Sequence, residues 1–330
     1  MEDASQECNL LSVAIDGISD DSSIYFAAFY TCIAFSTLTF VVSSITGNYS
    51  QVDKLWSITP FIYAWIAVVD QRTLIMAVVA TIWGIRLTYN FHRRGGYHWP
   101  PWKGEEDYRW AYIQQGHFVP ILKEPIPWIL FNFGFISFYQ NFLLLLTAAP
   151  AFVASTMATN AFCGDHVAPF NIFGLDGIAV VLMIAFIIME SVADNQQYAF
   201  QTEKYRQINA GEERTGEYAD GFCQSGLFAI VRKPNYCAEQ FIWISFYIFS
   251  VAATGTGKGF INWSAIGFIL LVILFQGSGP FTEKLTLQKY PVKYAEYQTK
   301  VGLYIPRLST LTSMFRPATA SDGEKKSLLQ

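Results

Sequence analysis

Apolar and polar positions along the chain fall into long alternating blocks. Seven stretches are apolar for most of their length, at roughly 23–45, 53–70, 73–91, 126–149, 172–193, 237–253 and 262–279. Most approach the ~20 residues that a helix needs to cross the hydrocarbon core of a bilayer. The pattern predicts an all-α, polytopic bundle of about seven transmembrane helices. The second stretch, VDKLWSITPFIYAWIAVVD, is the least apolar, with Asp53 and Lys54 at one end, Pro60 inside and Asp70 at the other. Only two or three residues around Asp70 to Arg72 separate it from the third, which demands a tight helical hairpin.

The cations set the orientation. With the N-terminus outside, the segments 46–52, 92–125, 194–236 and the tail from 280, together with Lys54, hold 19 of the 22 Lys and Arg residues. Arg72 and Lys258 remain on the far side, and Arg86 lies within the third span. Positive charge concentrates on the cytosolic side of membrane proteins, so the C-terminus is expected in the cytosol. Residues 1–22 form an acidic non-cytosolic leader, 23–308 the membrane domain, and 309–330, rich in Ser, Thr, Ala and Lys, a disordered cytosolic tail. The first span follows an acidic, polar leader and is read as a retained helix, not a cleaved signal.

Composition narrows the function. Charged residues make up 15% of the chain and the net charge is −4, which gives no basic face for nucleic acid. The five cysteines and four histidines show no metal-ligand spacing, so no metal is expected. Cys8 and Cys163 share the non-cytosolic side, where they are two free thiols or a pair. Loop 92–125, with its Trp, Gly and Pro, reads either as an interfacial segment or as a cap over a cytosol-facing cavity. Carboxylates at membrane depth are costly and mark polar sites. Glu190 and Asp194 close the fifth span on one helical face, Glu239 opens the sixth just after Arg232 and Lys233, and Arg86 lies two turns before Arg93. Their common location is the cytosolic border of spans three, five and six.

Three stretches carry a resemblance. Val231-Arg232-Lys233-Pro234-Asn235-Tyr236 with Glu239 resembles the Arg-His-Pro-Asn-Tyr-x-x-Glu signature of the steroid 5-alpha-reductase C-terminal family and the sterol C14 reductases, with Lys233 in place of His. Tyr290-Pro291 through Tyr294, Tyr297 and Gln298 to Ile305-Pro306 is similar to the tail of those families. Trp83-Gly84 through Arg93-Arg94-Gly95-Gly96 to Trp110 resembles an uncharacterised subgroup that shares the domain. The resemblance covers most of 51–308. It implies an endoplasmic-reticulum enzyme of lipid metabolism that binds NADPH and reduces a carbon–carbon double bond in a sterol or other lipid. On that reading Arg232, Lys233 and Lys204 meet phosphate, and Asn235 and Tyr236 add hydrogen bonds beside it. Asp194, Gln197, Glu239, Tyr294 and Tyr297 face the ribose and amide groups. Tyr89 resembles the tyrosine that polarises the substrate carbonyl, and Asp53 lies nearest to an early-span glutamate of the steroid reductases. Isoprenylcysteine and phospholipid methyltransferases share a similar loop and imply S-adenosylmethionine instead. A non-enzymatic lipid-binding protein is the third reading.

Overall fold

The computed structural model describes residues 9–159, 168–255 and 260–308. Cys8, Cys163, His166, Lys258 and the tail 309–330 lie outside the described residues, and with them the possible Cys8–Cys163 pair and the expected tail disorder. The described residues are mainly helical, and an isolated bridge between extended segments joins Val231 to Gly302. In chain order the helices are α1 (Leu10–Gly17), α2 (Ile24–Thr46), α3 (Gln51–Trp56), α4 (Thr59–Ile66), α5 (Gln71–Arg93), α6 (Tyr108–Gln114), α7 (Pro125–Phe131), α8 (Gln140–Thr159), α9 (Leu175–Ala210), α10 (Gly216–Asp220), α11 (Pro234–Thr254), α12 (Ala265–Lys289) and α13 (Pro291–Lys300). A π-helical stretch, Asn132–Tyr139, joins α7 to α8 into one run. Six helical runs among the described residues are long and apolar enough to cross a membrane: α2, α5, the α7–α8 run, α9, α11 and α12.

The expected second span is corrected in form. Instead of one helix, residues 51–66 form α3 and α4, broken at Ser57 and Ile58. Pro60 has no N–H to return to the carbonyl of Trp56, which favours a fresh helix start there. The broken segment still runs back along α5. The Thr88 hydroxyl donates to Ser57 Oγ (2.8 Å), Trp65 Nε1 to Thr81 Oγ1 (2.9 Å), and the Val69 N–H to Thr73 Oγ1 (3.0 Å). A reciprocal cap formed by Asp70 and Thr73 starts α5 and makes the tight hairpin.

The chain divides into two compact units, one of residues 1–187 with 240–273, the other of 188–239 with 274–330. Interdigitated aromatics fill the first, and Trp83 meets Trp243 edge-on at 4.8 Å. Along α2, the π-helical stretch and α8 runs a buried row of neutral polar groups. Asn132 Nδ2 donates to Ser43 Oγ (3.0 Å), and Asn141 Nδ2 donates to Thr39 Oγ1 (3.4 Å). Such interhelical bonds supply the cohesion that apolar contact cannot give in lipid. At the α4–α5 turn, Arg72 forms a two-pronged pair with Asp176 of α9 (Nε–Oδ1 2.8 Å, Nη2–Oδ2 3.0 Å), each side chain only 2% exposed.

Loop 92–125 is anchored as a cap. Buried Lys54 donates to the carbonyls of Pro101 (2.9 Å) and Lys103 (2.8 Å) and to Gln51 Oε1 (3.1 Å). Gln51 Nε2 donates to the Trp102 carbonyl (2.9 Å), and the Asp107 N–H to Ser50 Oγ (2.9 Å). Asp53 accepts from Trp110 Nε1 (3.1 Å), which ties that carboxylate to the cap. Burial opposes ionisation of Asp107, but its paired Arg109 outweighs it and holds the carboxyl below the usual range. Trp99, Phe118 and Ile121 stay exposed on the same loop, so it is both anchored and apolar outside. Lys54→Met is expected to cost about 2–3 kcal/mol, because three acceptors in buried or partly buried contacts lose a charged donor. A thermal melt in detergent checks the cost, and proteolysis should become faster between residues 95 and 107.

Candidate functional site

The second unit holds all but one of the expected site residues. It comprises the end of α9, the connection 211–233 with α10, the first turn of α11, the end of α12, α13 and residues 301–308. α9 has 36 residues, about 54 Å of helix, against a hydrocarbon core of about 30 Å. Its last turns therefore reach well past the apolar stretch and carry Lys204 and its neighbours.

Residues 231–233 are hydrogen-bonded to residues 302–303. The Arg232 N–H donates to the Gly302 carbonyl (2.8 Å) and the Lys233 N–H to that of Leu303 (3.1 Å). A Cβ at residue 302 would stand 1.9 Å from the Ile305 carbonyl oxygen, so the approach requires glycine. Pro234 then starts α11, where its missing N–H costs nothing.

Arg232 is placed in this cluster, but its fork faces protein. Nε donates to Glu283 Oε1 (2.5 Å) and Nη2 to Oε2 (2.8 Å), while Nη1 reaches the carbonyls of Gln298 and Val301. Glu283 also accepts from the Tyr294 hydroxyl (3.0 Å) and from Gln298 Nε2 (3.1 Å). The guanidinium and carboxylate are both largely buried. Tyr297 donates to the Phe228 carbonyl at 2.5 Å. Burial, then the nearby Glu283 charge, lifts the Tyr294 hydroxyl far above its ordinary range; burial also lifts Tyr297. Both remain protonated donors. Tyr294 and Tyr297, with Phe222 and Val301, form a small buried core. Expected as phosphate and ribose ligands, Arg232, Tyr294 and Tyr297 instead fasten the tail.

The remaining candidates are distributed around this fastening. Lys204 Nζ donates to the Gly221 carbonyl (3.2 Å) and lies over the Phe200 and Tyr205 rings. Arg214 and Lys289 are within electrostatic reach of it, which gathers three cations. Lys233 Nζ lies 5.6 Å from the Tyr236 ring centre, and Tyr236 meets Phe275 edge-on. Asn235 and Gln197 are half-buried. Glu190, Asp194 and Glu239 are buried. Burial pushes the Cys223 thiol up to about 11, which keeps it an unreactive packing group. Among the described residues no three His, Cys, Asp or Glu side chains gather to hold a metal.

Tyr89, in the first unit, faces outward. It is 62% exposed on the same side of α5 as Ile82 and Ile85, with the Arg93 guanidinium 5.4 Å from its ring centre. That is an edge aromatic stacked under a cation, not a hydroxyl aimed into a cavity. Glu283 was missed in the sequence, where FTEKLTL reads as charged tail. The available signal was a carboxylate within reach of an arginine that precedes a span.

These features define a polytopic, all-helical membrane protein in which residues 302–303 are hydrogen-bonded to the loop before α11, the fifth of its six long apolar helical runs among the described residues. The chain belongs to a family described as "Protein of unknown function (DUF1295)", whose model matches residues 39–301. It is 35% identical over 283 residues to an uncharacterized protein of Schizosaccharomyces pombe, covering 81% of this chain and 75% of the relative. No solved structure matches.

Proposed function

We propose that the protein is an NADPH-dependent reductase of a carbon–carbon double bond in a membrane lipid or sterol. The observation that carries this reading is that Lys204 has Arg214 and Lys289 within electrostatic reach, in the unit that also presents Lys233 and Asn235. Positive charge around Lys204 suits an anionic ligand. NADPH has three phosphate groups to meet it, and Lys and Arg are the side chains for that task. Lys233 and Asn235, half-buried at the start of α11, would bind and orient the dinucleotide. Arg232 serves as a positioning residue, held by Glu283 and holding the loop in turn. When bound, NADPH would supply the hydride. The resemblance of residues 231–239 and 290–306 to the steroid 5-alpha-reductase C-terminal family supports the same assignment. In this reading the broken α3–α4 segment counts as a crossing, giving seven, with the C-terminus cytosolic and the protein in the endoplasmic reticulum of a eukaryotic cell.

A methyltransferase would use S-adenosylmethionine, which has no phosphate and leaves the cation group without a ligand. Calorimetric titration of the purified chain separates the two. Saturable NADPH binding is expected, weakened about tenfold or more in Lys204→Ala and in Lys289→Ala, as for loss of a charged contact. Binding of S-adenosylmethionine with none of NADPH would end the reductase reading.

A further inference from the structure

A second feature lies wholly within the first unit and is independent of the reductase reading. A cleft of about 720 Å3 is lined by Thr46, Asn48, His98, Trp102, Lys103 and Glu105, over a floor that includes Gly95 and Gly104. That volume lies in the range of small-molecule sites.

The frame of the cleft is fixed while its charged side chains are not. Lys54 holds the carbonyl of Lys103, Gln51 that of Trp102, and Asn48 Nδ2 that of Gly104 (3.1 Å). The Glu105 N–H donates to the Gly95 carbonyl (3.1 Å). Gly104 has φ +128°, and a Cβ there would stand 2.4 Å from the Gly96 oxygen, so no side chain intrudes. Above this frame the Lys103 ammonium and the Glu105 carboxylate are exposed, and neither has an ion-pair or hydrogen-bond partner among the described residues. One cleft thus offers one cation and one anion, with an imidazole and an indole beside them.

The neighbourhood is apolar on one side. Thr46 is the last residue of α2, and the exposed face leading to it carries Leu38, Val41 and Ile45, spaced three and four apart. A polar cleft at the end of an apolar helical face suits an amphiphile. Its chain would follow α2, and its headgroup would occupy the cleft.

We propose that this cleft is a headgroup site for a zwitterionic phospholipid. The phosphate ester meets Lys103 by a charge-assisted hydrogen bond. The ammonium meets Glu105 and the face of Trp102, as cations favour indole rings. An anionic lipid satisfies Lys103 but leaves Glu105 facing like charge.

The test is native mass spectrometry of the full chain, stripped of lipid in detergent and titrated with phosphatidylethanolamine, phosphatidylcholine, phosphatidic acid and free phosphocholine. The two zwitterionic lipids are expected to bind about tenfold tighter than phosphatidic acid, a difference of one charged contact. Glu105→Gln should abolish that preference, and Lys103→Gln should weaken all three lipids about tenfold. Equal retention of all three by the unaltered chain, or a preference unchanged in Glu105→Gln, overturns the proposal. Competition by free phosphocholine at the same concentration as lipid reassigns the cleft to a soluble phosphoester and equally overturns it. Hydrogen exchange of residues 95–107, slowed by zwitterionic lipid and not by phosphatidic acid, reads occupancy in the unaltered chain should a variant fail to fold.

Discussion

Arg72→Ala is expected to destabilise the protein by about 3–5 kcal/mol, the cost of leaving a buried charge without its mate. Asp176 would keep its carboxylate in the interior with the Asn171 N–H, at 2.9 Å, still donating to it. The carbonyls of Ala168 and Pro169, which accept from Arg72 Nη2 at 2.9 and 3.1 Å, would lose that donor as well. Removal of both charges should be milder. The double variant Arg72→Leu/Asp176→Leu no longer buries a lone ion, so it is expected to recover much of the loss. Melting curves in detergent decide this. A single variant that melts like the parent would show that the pair contributes nothing to folding.

Glu283→Ala should have a comparable effect, about 3–5 kcal/mol, but a different signature. It strands the Arg232 guanidinium and removes the acceptor of Tyr294 and Gln298 together. The immediate consequence is release of residues 291–308 and of the 231–233 loop they hold. Hydrogen exchange should therefore rise in those two segments before it rises elsewhere. Glu283→Gln keeps the shape and one acceptor oxygen, so it is expected to lie between the parent and the alanine variant. Uniform exchange across the chain in Glu283→Ala would show that the tail is not held through this carboxylate.

Much of the helical layout was legible in the sequence, because lipid imposes long apolar runs that hydropathy reads directly. The exceptions have local causes. The second apolar run looked continuous because Ser57 and Ile58 carry no strong breaking signal, and Pro60 acts on a carbonyl four residues earlier. The π-helical stretch, NFGFISFY, has no compositional mark at all. Arg72 could be seen to violate the charge bias, and a lone cation at a span end calls for a carboxylate. Which one was not readable, since Asp176 is 104 residues away.

The candidate site was legible in place more than in role. Residues 231–239 and 290–298 were marked out, and they do occur together in one compact unit. Their side-chain partners depend on direction, which sequence does not encode. The hydroxyls of Tyr294 and Tyr297 and the fork of Arg232 turn inward, whereas Lys233, Asn235 and Gln197 stay partly open. Tyr89 shows the converse, since its motif position was suggestive and its helical face was not.

The distance in sequence between Arg72 and Asp176 also sets an order of events during biosynthesis. At about 5–20 residues per second, a ribosome delivers the carboxylate some 5–20 s after the arginine. Throughout that interval the hairpin of α4 and α5 has to persist with an unneutralised guanidinium at its tip. The pair is therefore a late fastening, made only once the nascent chain has extended into α9.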